Sequence, residues 1–272
     1  MSEAPHLLIE AQGATLVCTL NRPDKLNALT GQTMALLEDA LHKFRDTEAL
    51  KVMLIRATGR YFCSGADLRD NSDGAPQIDR TGVAIREKHR LKLHGMHRIY
   101  DEMEHIEKPI VVAHQGTCVG GGLELSLSCD FRLAAKSASY SFPEGKFGVL
   151  PASNGVSRLT RYVGPHWARY LIMANKPADA ERALLMGLVH EVYSDETFDA
   201  DVMAFCEHLA GNNGEQMGMA KLAIELCHEL GRDQARHIER LGNSTLMLNP
   251  DYLAGIEKYI SMIGSKGKSK GE

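Results

Sequence analysis

The chain is 272 residues long, enough to bury a large core in one or two domains, and its 44% hydrophobic and 24% charged residues are ordinary for a globular protein. Its net charge of -4 argues against a nucleic-acid-binding or membrane-surface protein, because those need a dense basic face. No apolar run approaches the roughly 20 residues of a membrane-spanning helix, and the opening MSEAPHLLIEAQG lacks the basic, apolar and cleavage regions of a targeting peptide, so a cytoplasmic location is expected.

In chain order, residues 6–10 and 14–20 form short β-branched or alternating runs about Gly13 and predict an opening strand pair. LTGQTMALLEDALHKFRD follows, with Met34, Leu37, Leu41 and Phe44 at helical spacing behind Thr30 as N-cap. KVMLIRA (51–57) reads as a buried strand, and its exit TGRYFCSGADLRD as a loop of small residues. A charged helix is expected over about 82–106. Its histidines at 89, 94, 97 and 105 have no accompanying carboxylate or cysteine spacing, so no metal site is expected. Then come the strand PIVVAHQG, a glycine-rich stretch, and strands at FRLAA and SYSF. A series of helices follows, one closed by Gly187.

From about 195 to 263 the pattern is helical throughout, and GSKGKSKGE (264–272) is too poor in apolar residues to predict structure. Strands alternating with helices and then helices alone imply an α/β core over 1–195, a helical C-terminal region over 196–263 and a disordered tail over 264–272. No sequence repeat is visible at solenoid periods. The cysteines at 18, 63, 118, 129, 206 and 227 form no CxxC pair, which disfavours a zinc knuckle or redox motif and suits reduced packing residues.

One stretch breaks local rules. In VVAHQGTCVGGGLELSLSCDF, three consecutive glycines, Gly120 to Gly122, open a helix, and Glu124 lies among leucines just beyond. Interior helical glycine costs roughly 1 kcal/mol against alanine, and an unpaired buried carboxylate costs several. Such conflicts concentrate where function overrides stability. A phosphate-binding loop would require Lys-Ser/Thr after the last glycine, whereas Leu123-Glu124 follows; a dinucleotide fingerprint would require G-x-G-x-x-G, whereas the spacing is G-x-x-x-G-G-G. A strand, a glycine cluster and a helix do expose backbone N–H groups that polarise a carbonyl oxygen. For a thioester they would stabilise the developing enolate, by roughly 3–4 kcal/mol per donor in known oxyanion holes.

The run HQGTCVGGGLELSLSCDFRLAAKSASYSFPEGKFGVLPASNGVSRL resembles the signature region of the crotonase (enoyl-CoA hydratase/isomerase) superfamily. NRPDKLNAL (21–29), YFCSGADL (61–68) and ADAERALLMGLVHEV (178–192) resemble further blocks of that family in the expected order. The resemblance covers about residues 6–195. It implies an α/β fold built as a spiral of repeated β-β-α units, with a C-terminal helical trimerisation region and a homotrimer or homohexamer. It also implies an oxyanion hole from the N–H groups of Ala66 and Gly121, and paired acids at Glu124 and Glu144. Coenzyme A is then part of an acyl-CoA substrate, and no separate cofactor, nucleic acid or membrane partner is implied. Lys25, Leu26 and Ala28 in the first block, and Ser64, Asp67 and Leu68 in the second, fall on the implied coenzyme A path. Taken alone, Lys25 is equally a solvated turn lysine and Asp67 equally a helix cap.

Two carboxyls suit hydration, because water must lose a proton as it attacks Cβ while another proton reaches Cα. The resemblance therefore implies a 2-enoyl-CoA hydratase and leaves the choice of base between the glutamates open. Other crotonase-type reactions, either double-bond isomerisation or hydratase-plus-lyase cleavage of a bulky or aryl enoyl-CoA, remain alternatives, as does a non-catalytic thioester-binding oligomer. Three departures bear on substrate. PASNG (151–155) stands where relatives carry P-G-A-G-G, so Ala152 and Asn154 alter the expected pocket floor and Asn154 offers a donor to an unusual substrate. NSDGAPQ (71–77) lengthens a region expected to line the acyl pocket. LNPDYLAGIEKYI (248–260) leaves the C-terminal coenzyme A contacts unassigned.

Overall fold

The computed structural model describes residues 4–69 and 82–268, so NSDGAPQ and the acyl-pocket role expected of it lie outside the described residues. Strands β1 (Leu7–Gln12) and β2 (Thr15–Leu20) form the expected antiparallel pair about Gly13. Helix α1 (Gly31–Asp46) begins at Thr30, whose side chain accepts from Thr33 N–H. Leu37, Leu41 and Phe44 are buried on its inner face, and Met34 packs at the edge of the core.

Three successive turns of chain then repeat one shape. The first runs through β3 (Val52–Ala57), β4 (Tyr61–Cys63) and helix α2 (Gly82–His105). The second runs through β5 (Ile110–His114), β6 (Thr117–Val119) and helix α3 (Gly121–Ser126). The third comprises β7 (Phe131–Ala135) and β8 (Ser139–Ser141), then a 3-10 turn at Glu144–Phe147 and helix α4 (Gly155–Ala168). After a π-helical turn at Arg169–Met173 come β9 (Ala178–Asp179), α5 (Ala180–Leu185) and β10 (Glu191–Tyr193). Each turn contributes its first strand to a six-stranded sheet ordered β1-β2-β3-β5-β7-β10, and its second to a four-stranded sheet ordered β4-β6-β8-β9. Pairing of β2, β3, β5, β7 and β10 is parallel, as is that of β4, β6 and β8.

This is the spiral of β-β-α units that the family resemblance implies, and the repeat is one of shape without sequence identity. The strands β2 and β5 are buried at every residue, as expected of parallel strands covered on both faces. Two strands, β4 and β6, lie where the sequence predicts loop and glycine-rich connection. At three residues each they are too short to show an alternation, and they form because each turn of the spiral lays them beside the one before.

The chain divides into two compact units, residues 1–212 and 213–272, rather than at 195/196. Helix α6 (Phe198–Ala210) belongs to the first unit because Phe198, Val202, Cys206 and Leu209 are buried and the helix packs on β2, β3 and β7. The second unit comprises α7 (Gly214–Glu229), α8 (Arg232–Leu246) and α9 (Asp251–Lys268), with α7 packed on α8. Helix α9 continues to Lys268, five residues into the stretch expected to be disordered; extending an existing helix adds a hydrogen bond for each residue fixed. Residues 269–272 lie outside the described residues.

Candidate active site

The site is built where α3 packs on β4 and β6 of the four-stranded sheet. Leu29 and Ala66 form an isolated parallel bridge in which Leu29 N–H donates to the Gly65 carbonyl (2.8 Å) and Asp67 N–H donates to the Leu29 carbonyl (2.8 Å). Strand alternation therefore turns the N–H of Ala66 to the opposite side. There it meets the start of α3: a methyl placed on Gly121 would sit 3.3 Å from Ala66 N. Gly121 is the first residue of its helix, so its N–H has no intrahelical acceptor. Two donors thus share one small opening.

The glycine run has a separate steric reason at each position. Gly120, at φ 50° and ψ -120°, holds a conformation that side chains rarely adopt, and a methyl there would stand 2.5 Å from Glu144 Oε1. At Gly121 a methyl would fill the space between Ala66 N and Glu124 Oε2, which lies 3.8 Å away. Gly122 seats α3 against Cys63 on β4, and a methyl there would stand 2.5 Å from the Cys63 Cβ.

The carboxylates enter from two sides. Glu124 is 5% exposed, and its Oε1 accepts from Ser153 N–H at 2.7 Å, with Gly155 N–H bonding the same carboxyl. Burial pushes its pKa up to about 7, opposed by the Ser153 amide and supported by the neighbouring charge of Glu144. Glu144 begins the 3-10 turn that follows β8. Burial raises its pKa too, and its Oε2 is buried with no hydrogen-bond partner among the described residues. Two acids that disfavour ionisation stand beside two N–H donors that have no acceptor among the described residues, an arrangement able to hold a carbonyl oxygen while protons move beside it. Near Glu124, the Tyr100 hydroxyl of α2 is buried with no partner among the described residues, and burial, then the charge of Glu124, raises its pKa.

The structure places all four residues expected at the reaction centre, Ala66, Gly121, Glu124 and Glu144, around this opening. The other six lie on two loops cross-linked beside it. Lys25 is exposed, Leu26 is half-buried in a left-handed turn (φ 51°), and Ala28 is half-buried. The Leu26 carbonyl accepts from half-buried Ser64 N–H at 3.0 Å, and Leu68 is 87% exposed. Asp67 braces the loops: its Oδ2 pairs with Arg22 Nη1 at 3.0 Å, and Arg22 also donates to the Ala28 carbonyl. Its Oδ1 accepts from Arg69 N–H.

The sequence reading missed the amides of Ser153 and Gly155, since a backbone N–H carries no residue-type signal. It also missed Asn27, which donates to the carbonyls of Thr58 and Tyr61 and accepts from Arg22 N–H. Asn154, expected as a donor to an unusual substrate, lies against Arg158 through its amide oxygen. Oriented with its amide oxygen toward Arg158, it accepts from both Nη atoms of that buried side chain, which also pairs with Asp101 and Glu104 of α2. Among the described residues, no group of three or more His, Cys, Asp or Glu is placed to hold a metal.

Residues 10–260 match the family model "Enoyl-CoA hydratase/isomerase". A probable enoyl-CoA hydratase of Rhizobium meliloti is 29% identical over 94% of this chain and 95% of its own. A carnitinyl-CoA dehydratase of Salmonella typhi is 34% identical over 85% of this chain and 81% of its own. An enoyl-CoA hydratase structure from Geobacillus kaustophilus superposes with a TM-score of 0.85 at 28% identity, covering 96% of this chain and 97% of that one.

Proposed function

Because the chain belongs to the enoyl-CoA hydratase/isomerase family, we propose that it adds water reversibly across the double bond of a 2-enoyl-CoA thioester to give the 3-hydroxyacyl-CoA. One observation carries the reading: Glu124 and Glu144 stand on adjacent glycines of the run whose first helical N–H lies beside that of Ala66. The thioester oxygen sits between the Ala66 and Gly121 amides. Water held by the carboxyls attacks Cβ and gives its proton to the ionised one, while the π electrons move to Cα and the enolate oxygen is held by the amides. The protonated carboxyl then delivers its proton to Cα, so the pair ends with its proton exchanged and one water added.

No separate cofactor takes part in this scheme, and coenzyme A arrives as part of the substrate. Its path runs along Lys25, Leu26, Ala28, Ser64, Asp67 and Leu68, the two loops joined through the Leu29–Ala66 bridge. The working form is a homotrimer or homohexamer in a reducing cytoplasm, where the six free thiols stay reduced.

The test is incubation with short, long and aryl 2-enoyl-CoA thioesters and identification of products by mass. Gain of one water, lost by several orders of magnitude in both Glu124→Gln and Glu144→Gln, supports the reading and names the acyl class. Binding without hydration, or a shifted double bond, or cleavage to an aldehyde, would replace it by one of the related activities.

A further inference from the structure

Glu144 is held by a very short element. Its 3-10 turn spans four residues, and its backbone bonds run from Lys146 N–H to the Pro143 carbonyl, from Gly148 N–H to the Gly145 and Glu144 carbonyls and from Val149 N–H to the Glu144 carbonyl. Oε2 has no partner among the described residues and the carboxyl is bonded by the backbone N–H of Glu144 itself, so the backbone of the turn sets its position. Among the described residues, the side chain that hydrogen-bonds this segment from outside is Asn175. Its Nδ2 donates at once to the Phe142 carbonyl (3.1 Å), two residues before Glu144, and to the Ile172 carbonyl (2.6 Å) in the π-helical turn.

Two further details show that the chain is shaped around this contact. The residue after Glu144 is glycine, and a methyl there would lie 2.6 Å from Asn175 Oδ1 and 2.8 Å from Nδ2, so the amide lies flat against the Gly145 backbone. Asn175 itself is left-handed, at φ 47°, a position that glycine fills without strain. An asparagine there keeps the turn and adds the side chain that grips Phe142.

We propose that Asn175 is a positioning residue for Glu144: by bridging the Phe142 and Ile172 carbonyls against Gly145, it sets the Glu144 carboxyl over Gly120. The proposal deepens the hydratase reading and rests on it for the catalytic consequence. In an active wild type, Asn175→Gly keeps the left-handed turn and is expected to lower kcat 10- to 100-fold with KM changed less than threefold, as expected for a displaced reacting group. It should also move the limb of the pH profile that Glu144 controls. Asn175→Asp, which keeps the shape and loses the donor, is expected to fail likewise.

Two measurements do not depend on turnover. In a double-mutant cycle, Gly145→Ala should lower the unfolding temperature in the wild-type background and be nearly neutral beside Asn175→Gly. The carboxyl carbon resonance of Glu144, assigned by its loss in Glu144→Gln, should titrate at a different midpoint in Asn175→Gly. Wild-type turnover failing while these two hold would sink the hydratase reading and leave the clamp. An unchanged kcat, an unchanged Glu144 midpoint or additive Gly145 and Asn175 effects would each overturn the clamp.

Discussion

At the residue scale the site stores cost in two places, a carboxyl kept from water and glycines kept from side chains. The folded Glu124 carboxyl titrates at about 7, against 4.5 for an unperturbed one, so between these values the folded state binds more protons than the unfolded state. Stability from this group is therefore present below pH 4.5 and lost as pH rises through 7. Glu124→Gln keeps an oxygen for the Ser153 and Gly155 amides, and it should raise the unfolding temperature at pH 8 while changing it little at pH 4.5. The expected gain is on the order of 2–3 kcal/mol; a loss at pH 8 would mean the charge is better solvated than its burial implies. Activity should show a bell, greatest where the pair carries one proton, with the alkaline limb near 7 and the acid limb above 4.5. Gly120→Ala should abolish turnover and cost about 1–3 kcal/mol, since φ 50° and Glu144 Oε1 both oppose a side chain. Glu124, Glu144 and the glycines were legible because the chemistry depends on their residue types. The Ser153 and Gly155 amides were not, since any residue supplies an N–H.

At the element scale the short helix α3 is pinned by a buried polar chain. His114 of β5 bonds the Ser126 hydroxyl (2.8 Å) and the Tyr140 hydroxyl of β8 (3.1 Å), while Ser126 donates to the Gly122 carbonyl (2.8 Å). Burial, aided by Arg132, holds His114 down to about 3, so it stays neutral when folded. The unfolded histidine takes up a proton near 6.5, so stability should fall as pH drops below that value, opposite in slope to the Glu124 effect. His114→Gln should remove this acid-side loss, so that unfolding temperature rises more, or falls less, than in wild type as pH drops from 6.5 to 5; an unchanged slope would assign acid sensitivity to other groups. Helices α2 and α4 are joined by Arg158, 8% exposed, on Asp101 and Glu104. Arg158→Met should cost about 3 kcal/mol in denaturant unfolding by stranding Glu104 and the Asn154 oxygen, and the cost should shrink when Glu104→Gln is added. The sequence pattern located α1 and the long strands because their periodicity extends over several turns or residues. It missed β4 and β6 because each lies between glycines, Gly59 and Gly65 or Gly116 and Gly120, that read as connection.

At the scale of the whole molecule, each unit has its own character. The first buries a large apolar core, though Phe147, Leu150, Met173 and Leu185 are more than half exposed on it; the second has few buried apolar side chains and leaves Ile224, Leu241, Leu253, Ile260 and Ile263 more than half exposed. Exposed apolar surface of that extent marks an association face, and light scattering should give three or six times the 29.9 kDa chain mass. Leu241→Glu with Leu253→Glu should lower that mass; a wild-type monomer would remove the assembly. By itself the sequence determined the alternation of strands and helices, the helical C-terminal region and, through four motif blocks, the residue types at the reaction centre, all of which are local in the chain. Only the tertiary structure decided the rest. Stacked turns of the spiral made strands of β4 and β6, packing on three strands drew α6 into the first unit, and burial raised the proton affinity of Glu124 against the opposing amides of residues more than 25 positions away. The physical reason is common to all three: pairing, burial and desolvation depend on neighbours in space, which a linear pattern records only when they are also neighbours in the chain.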